Sequence, residues 1–264
     1  MNRQNLALLQ EWFAGFAGSF HALDGEEQRN IALKEKHTGK VCANIGRIAA
    51  EERLDADRVV LAEAVALFHD LGRFPQYRRY KTFNDGMSVN HAHLGARILA
   101  DGGILDKLPR NEQDIIITGV RFHNCLTIPA GLEPEPALFL KLVRDADKLD
   151  IWRVFLDFYR LPERERASAV SLGFPDSPEW SPQTLAAVSR GEIARLAEVK
   201  SLTDFKLLQL SWVYDLNFPA AFRMLLERDF INGLARVLPD HGEIRRALAA
   251  VREFALRGCE RGTA

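Results

Sequence analysis

His69 and Asp70 are adjacent in the stretch AVALFHDLGRFPQYRRY, an imidazole beside a carboxylate. Such a pair can bind one metal ion or bridge two. It follows a largely apolar run, Val59 to Phe68, that reads as a buried helix. Two ionisable groups at the end of a buried helix are costly unless something compensates them, and a bound cation would do so. Four more ligand-type residues stand apart from the pair: His37 upstream, and His91, His123 and Asp147 downstream.

The elements that must position these residues read as helices. Apolar residues recur at spacings of three and four, and no run sustains a two-residue alternation, so the expected fold class is all-α. The spacing predicts helices near 3–20, 28–52, 56–72, 90–101, 111–124, 136–160, 182–198, 202–210, 217–237 and 241–257. Breaks fall where Pro, Gly and Asn gather: 72–75, 84–86, 102–103, 127–136 and 173–182. The last of these, SLGFPDSPEWSP, is the expected boundary between a core of residues 1–170 and a C-terminal helical extension of 171–264 packed on it.

On these helices His37 shares a stripe with Leu33, Val41, Ile45 and Ile48, the face that should be buried. Asp147 shares one with Leu140, Val143, Ile151 and Val154. Asp145 is its rival, because Leu138, Leu142, Leu149 and Trp152 make an equally apolar stripe, and periodicity does not choose between them. His123 ends a helix and His91 opens one. Converging side chains from several helices is how helical bundles build metal sites. Each residue alone has a plain structural alternative: a hydrogen-bonded core histidine for His37, a cap for His91, a helix C-terminal charge for His123, an ion pair with Arg144 or Arg153 for Asp147. His93, two residues from His91, points to nearly the opposite side, and with His21 and His241 it is set apart from the candidates.

The composition excludes several classes. The net charge of −1 gives no footprint for a nucleic-acid polymer. No apolar stretch approaches the roughly 20 residues that span a bilayer, and no membrane partner is expected. The first twenty residues are too polar and too interrupted for a secretory signal, and Leu9, Trp12, Phe13 and Phe16 look like the apolar face of a docked helix. Three cysteines without metal-type spacing read as reduced thiols in a cytoplasm.

The ordered set resembles the HD-domain superfamily of metal-dependent phosphohydrolases, whose pattern is His, then His-Asp, then a distant Asp: here His37, His69 with Asp70, and Asp147. LVRDADKLD resembles the family's last motif, in which the aspartate after the alanine binds metal, and the resemblance thus selects Asp147 over Asp145. NHAHLGARIL and VRFHN resemble the segments that carry two further histidines in two-metal branches such as the HD-GYP phosphodiesterases, here His91 and His123. The resemblance runs from about residue 30 to 160. The GYP signature is missing, so cyclic-dinucleotide specificity does not carry over. Arg73 stands where HD-type deoxynucleotidases have a glutamate.

The resemblance implies one ion on His37, His69, Asp70 and Asp147, and a second on His91 and His123 with Asp70 bridging. Mixed nitrogen and oxygen ligands suit Fe, Mn, Co, Ni or Zn, one or two ions per chain. A water between them, deprotonated near neutral pH, would be the nucleophile toward a small phosphate ester, a nucleotide among the options. Asp70 and Arg73 are the expected catalytic residues. Arg73, Arg78, Arg79, Lys81 and Lys148 are the expected contacts to an anionic, phosphate-containing substrate, with a solvated loop as the alternative for RRYK. Asp150 could orient a ligand histidine or cap a surface. Two other readings compete: a di-iron oxygenase, since some HD-domain proteins activate O2 with the same six residues, and a helical module that keeps metal without catalysis. A homodimer is left open.

Overall fold

The computed structural model describes residues 1–22 and 24–260. Those residues form helices and connecting turns with no strand, an all-α fold. Contacts divide the chain into two units. The first is Met1–Asp150 with Ala167–Leu172, and the second is Ile151–Arg166 with Gly173–Ala264. Residues 261–264, the end of the expected extension, lie outside the described residues.

The first unit contains α1 (Arg3–Gly18), α2 (Gly25–Glu51), α3 (Ala56–Phe68), α4 (Arg73–Tyr80), α5 (His91–Asp101), α6 (Arg110–Phe122) and the first part of α7 (Pro134–Arg160). Side chains fix where several of these begin. Asp24 accepts from the amides of Glu26 and Glu27 to start α2, Asp55 from Arg58 to start α3, and Asn90 from His93 to start α5. Each cap satisfies amides that have no partner within the helix. α3 packs on α1, α2 and α6, and α5 packs on α6. Asn44 ties α2 to α7 by donating to the Ala146 carbonyl at 3.0 Å. The apolar stripes read from the sequence are largely buried: Val41, Ile45 and Ile48 on α2, and Leu140, Leu142, Val143 and Leu149 on α7, are fully covered, while Leu33, Leu138, Ile151 and Val154 are half-buried.

Helix α4 departs from the expected break at 72–75. Pro75 sits in the first turn of α4, where an amide would lack an intrahelical partner anyway, so the proline costs the helix little. Phe74 anchors it, with its ring 5.8 Å from those of Phe13 and Phe20 and 6.1 Å from that of Phe16. The RRYK segment is therefore mostly helical rather than a loop.

The second unit holds the last part of α7, then α8 (Pro182–Arg190), α9 (Leu202–Ser211), α10 (Pro219–Glu227), α11 (Phe230–Ala235) and α12 (Gly242–Glu260). Every residue of α9 is buried, and Trp152 donates to the Gln209 carbonyl at 3.0 Å. The helix expected over 182–198 stops at Gly191, which takes φ 76°. The one expected over 217–237 is two helices, divided at Asp229 with φ 55°. No described helix is long and apolar enough to cross a membrane.

Candidate metal centre

All six ligand-type residues lie in the first unit, and the fold brings them to one place. His37 comes from the middle of α2. His69 caps the C-terminus of α3, and Asp70 follows in a turn. His91 opens α5, His123 caps α6, and Asp147 comes from α7.

Two groups of side chains form around Asp70. On one side its Oδ2 lies 3.5 Å from His37 Nε2 and 3.6 Å from His69 Nε2. Asp147 Oδ1 closes that side, 3.0 Å from His37 Nε2 and 3.7 Å from His69 Nε2. On the other side Asp70 Oδ1 lies 3.3 Å from His91 Nε2 and 3.8 Å from His123 Nε2. His37, His69 and Asp70 form one group able to hold an ion, and Asp70, His91 and His123 another.

The outer nitrogens of the four rings decide what the inner ones can do. His69 Nδ1 is 2.7 Å from the Ala66 carbonyl and His123 Nδ1 is 2.8 Å from the Val120 carbonyl. His37 Nδ1 is 2.7 Å from Asp150 Oδ2, and His91 Nδ1 is 2.7 Å from Asp85 Oδ2. A carbonyl or carboxylate only accepts, so each Nδ1 carries the proton. In the neutral ring each Nε2 then presents a lone pair inward. Those lone pairs face one another, His37 against His69 at 3.3 Å and His91 against His123 at 3.0 Å. Facing lone pairs repel unless a cation lies between them. Asp147 Oδ1 is buried without a hydrogen bond as well. The donor set of imidazole nitrogens and carboxylate oxygens, with its outer shell satisfied and its inner shell not, fits a divalent transition metal.

Charge around the site points the same way. Burial opposes ionisation of Asp70, yet Lys34, His69, His91 and Arg73 hold it well below the usual carboxylate range. Lys34 Nζ is 2.7 Å from Asp70 Oδ2, and Arg73 Nε is 3.4 Å from Oδ1. Burial likewise opposes ionisation of Asp147, but His37 and His69 beside it hold it well below the usual carboxylate range. Burial, with the neighbouring His91 and His69, pushes His123 down to about 3, so it stays neutral and able to ligate at ordinary pH.

Position in sequence is held by a close approach. A Cβ on Gly72 would lie 2.1 Å from the His91 carbonyl oxygen and 2.8 Å from the Gly95 amide nitrogen. Only hydrogen fits there, and this lets the turn after Asp70 press against the first turn of α5 and set His91 beside Asp70.

The basic residues are distributed differently from the ligands. Arg73 donates through NH1 to the Phe83 carbonyl, Gln76 Oε1 and Asp85 Oδ1, so it faces inward. Arg78 donates to the Ser19 carbonyl and lies over the Phe20 ring. Arg79 lies over Tyr80, and Lys81 pairs with Glu27. Lys148 donates to the Arg144 carbonyl at 3.3 Å. Lys34, Asp85 and Asn124 were not singled out in the sequence. Lys34 was findable, since it stands three residues before His37 and so shares its face of α2. Asp85 lies in a short 3-10 turn, Asp85–Met87, with no periodic signal.

The sequence pattern of the HD domain matches residues 35–152, a span that holds all six residues of the cluster. The chain is also similar to a crystal structure of a predicted HD superfamily hydrolase from an uncultured Thermotogales bacterium, 24% identical, covering 63% of this chain and 82% of that one, with a TM-score of 0.36. No curated protein matches. Residues 35–152 thus carry the pattern of an HD domain, and the His…His-Asp…Asp order of the cluster lies within that span.

Proposed function

We propose that this chain is a metal-dependent phosphohydrolase that cleaves a small phosphate ester, with one ion on His37, His69, Asp70 and Asp147 and a second on His91, His123 and the other oxygen of Asp70. The observation that carries this reading is the division of Asp70: one oxygen faces each histidine pair, at 3.3 to 3.8 Å. Ions held there would activate water and draw charge from phosphoryl oxygens.

The chain's own residues supply the rest. Asp70 stays a carboxylate because Lys34 and Arg73 flank its two oxygens. The four Nδ1 protons are fixed on acceptors, so the Nε2 atoms do not rotate away from the cluster. Lys34 and Arg73 have side chains 15% and 16% exposed, and they are the cations placed to meet a phosphoryl oxygen. Arg78 and Lys81, engaged elsewhere, are left out of that role.

The test is metal analysis of protein purified with and without oxygen, paired with a screen of phosphate esters. Phosphate release with bound Mn, Co, Ni, Zn or Fe is expected. Two irons per chain with O2 consumption and no phosphate release would overturn the reading in favour of an oxygenase, which uses the same donor types.

A further inference from the structure

The four ring histidines differ in where they sit on their helices, and this decides what can hold each Nδ1 proton. His69 and His123 are C-terminal caps of α3 and α6. The last carbonyls of a helix lack intrahelical partners, so one lies ready three residues back in each case. His91 is the first residue of α5. A helix N-terminus offers free amides and no free carbonyl, so its acceptor must come from elsewhere. Asp85 is that acceptor, with Oδ2 and Oδ1 at 2.7 and 2.9 Å from His91 Nδ1.

Asp85 is itself held by three donors: Arg73 NH1 at 2.9 Å, Gln76 Nε2 at 2.8 Å and Asn124 Nδ2 at 3.1 Å. Arg73 reaches back toward Asp70 Oδ1, so Asp70, Arg73, Asp85 and His91 form a closed ring of contacts. The counterpart of Asp85 at the other group is Asp150, 2.7 Å from His37 Nδ1. The two differ in setting. The Asp150 side chain is 1% exposed on a long helix, and that of Asp85 is 27% exposed on a three-residue turn. The group Asp150 serves also has Asp147 as a second carboxylate, whereas the group Asp85 serves has Asp70 alone.

We propose that Asp85 is the positioning residue of the His91–His123 group: it fixes the tautomer and orientation of His91, and so makes the affinity of that group for its ion depend on the 85–87 turn. The inference rests on the two-ion reading above. It places the weaker, exchangeable ion on the His91 side and the tighter one on the His37 side.

The experiment titrates metal-free protein with Co(II) alone, by calorimetry and by visible absorption, for the wild type, Asp85→Ala, Asp85→Asn and Asp150→Ala. Loss of a carboxylate that orients a ligand histidine weakens binding by about 10- to 100-fold. Asp85→Ala is expected to weaken the weaker of two Co(II) events by that factor and leave the tighter one unchanged. Asp150→Ala is expected to do the reverse. Asp85→Asn keeps an acceptor oxygen for His91 and is expected to recover part of the loss, which also serves if the alanine variant folds poorly. Two wild-type affinities in Asp85→Ala, or equal weakening of both events, would overturn the proposal. A wild-type chain that takes up a single Co(II) would overturn the two-ion reading itself, and is recognised before any variant is compared.

Discussion

Replacing Gly72 with alanine tests whether the close approach of the turn after Asp70 to α5 sets the metal centre. The new Cβ would stand 2.1 Å from the His91 carbonyl oxygen, 2.8 Å from the Gly95 nitrogen and 3.0 Å from the His91 carbonyl carbon. All three are backbone atoms, so no side chain can swing aside. Opening the shortest contact to 3.0 Å moves one backbone segment by about 0.9 Å. Metal sites tolerate ligand displacements of about 0.2 Å, so His91, carried on the displaced turn, should leave the His91–His123 group. His37, His69 and Asp147 are carried on other elements, so only Asp70 of their group lies on the turn, and that group should weaken less than the His91–His123 group. Overpacking of this kind costs about 1–3 kcal/mol. At about 2–4 °C per kcal/mol for a domain of this size, Tm should fall by about 2–12 °C. Thermal melts of metal-free protein read the first effect and Co(II) titration the second. Gly119→Ala serves as a control, since its Cβ would meet Cγ1 of Val65 at 2.4 Å, a side-chain contact that involves no ligand. It should lower Tm without lowering Co(II) stoichiometry. A Gly72→Ala protein with wild-type Tm and wild-type Co(II) binding would refute the reasoning.

Three other outcomes follow from the site. Asp70→Asn keeps the shape but removes the one charge both groups share; Co(II) uptake at both should fall, and phosphate release should drop by about a hundredfold or more, read by elemental analysis and a phosphate assay. The metal-free protein should have its best stability near pH 6.5. Below that value the unfolded chain protonates His123 before the folded one does, so stability falls toward pH 3, at no more than about 1.4 kcal/mol per pH unit for that group, with Asp70 and Asp147 adding in the acid range. His37 has the opposite sign: burial lowers its affinity for a proton, but Asp147 and Asp150 raise it overall, so its contribution is present below pH 6.5 and is lost as pH rises through its raised value. Melts that rise between pH 6.5 and pH 5 would contradict this. Burial pushes the Cys42 thiol up to about 12, so iodoacetamide at pH 8 should leave Cys42 unmodified in the folded protein and label it after denaturation, as peptide mapping would show.

How much of the fold could be read in advance depended on what each helix end requires. Apolar stripes placed α2, α3, α5, α6 and α7 within a few residues, because burial of one face is a property of the segment itself. Ends set by backbone conformation were misplaced. Gly191 stops α8 by adopting a positive φ, and Asp229 splits α10 from α11 the same way, although an aspartate at positive φ carries no warning in the sequence. Helix α4 was taken for a break on the strength of Gly72 and Pro75. Yet that glycine is there for a close approach and that proline sits in a first turn, so neither acts as a breaker.

The site divides along the same physical line. Ligand-type residues were legible because imidazoles and carboxylates on buried stripes need compensation wherever they occur. The groups that orient the rings were legible only where orientation is local. Once α3 and α6 are known to end at His69 and His123, a free carbonyl three residues back follows from helix geometry alone, and so does the inward lone pair. His37 sits mid-helix, where the carbonyls are already used, and His91 sits at a helix start, where there are none. For those two the acceptor must come from outside the helix that carries the ring: from α7, 113 residues away, for His37, and from a turn six residues upstream, with no periodic pattern, for His91. Half of the centre is thus built into helix ends, and half depends on two carboxylates, one from a distant helix and one from the turn before α5. A substitution at Asp85 or Asp150 should therefore disturb ligand geometry while leaving every helix intact, whereas the rings of His69 and His123 can be misdirected only by disturbing the helix ends that carry them.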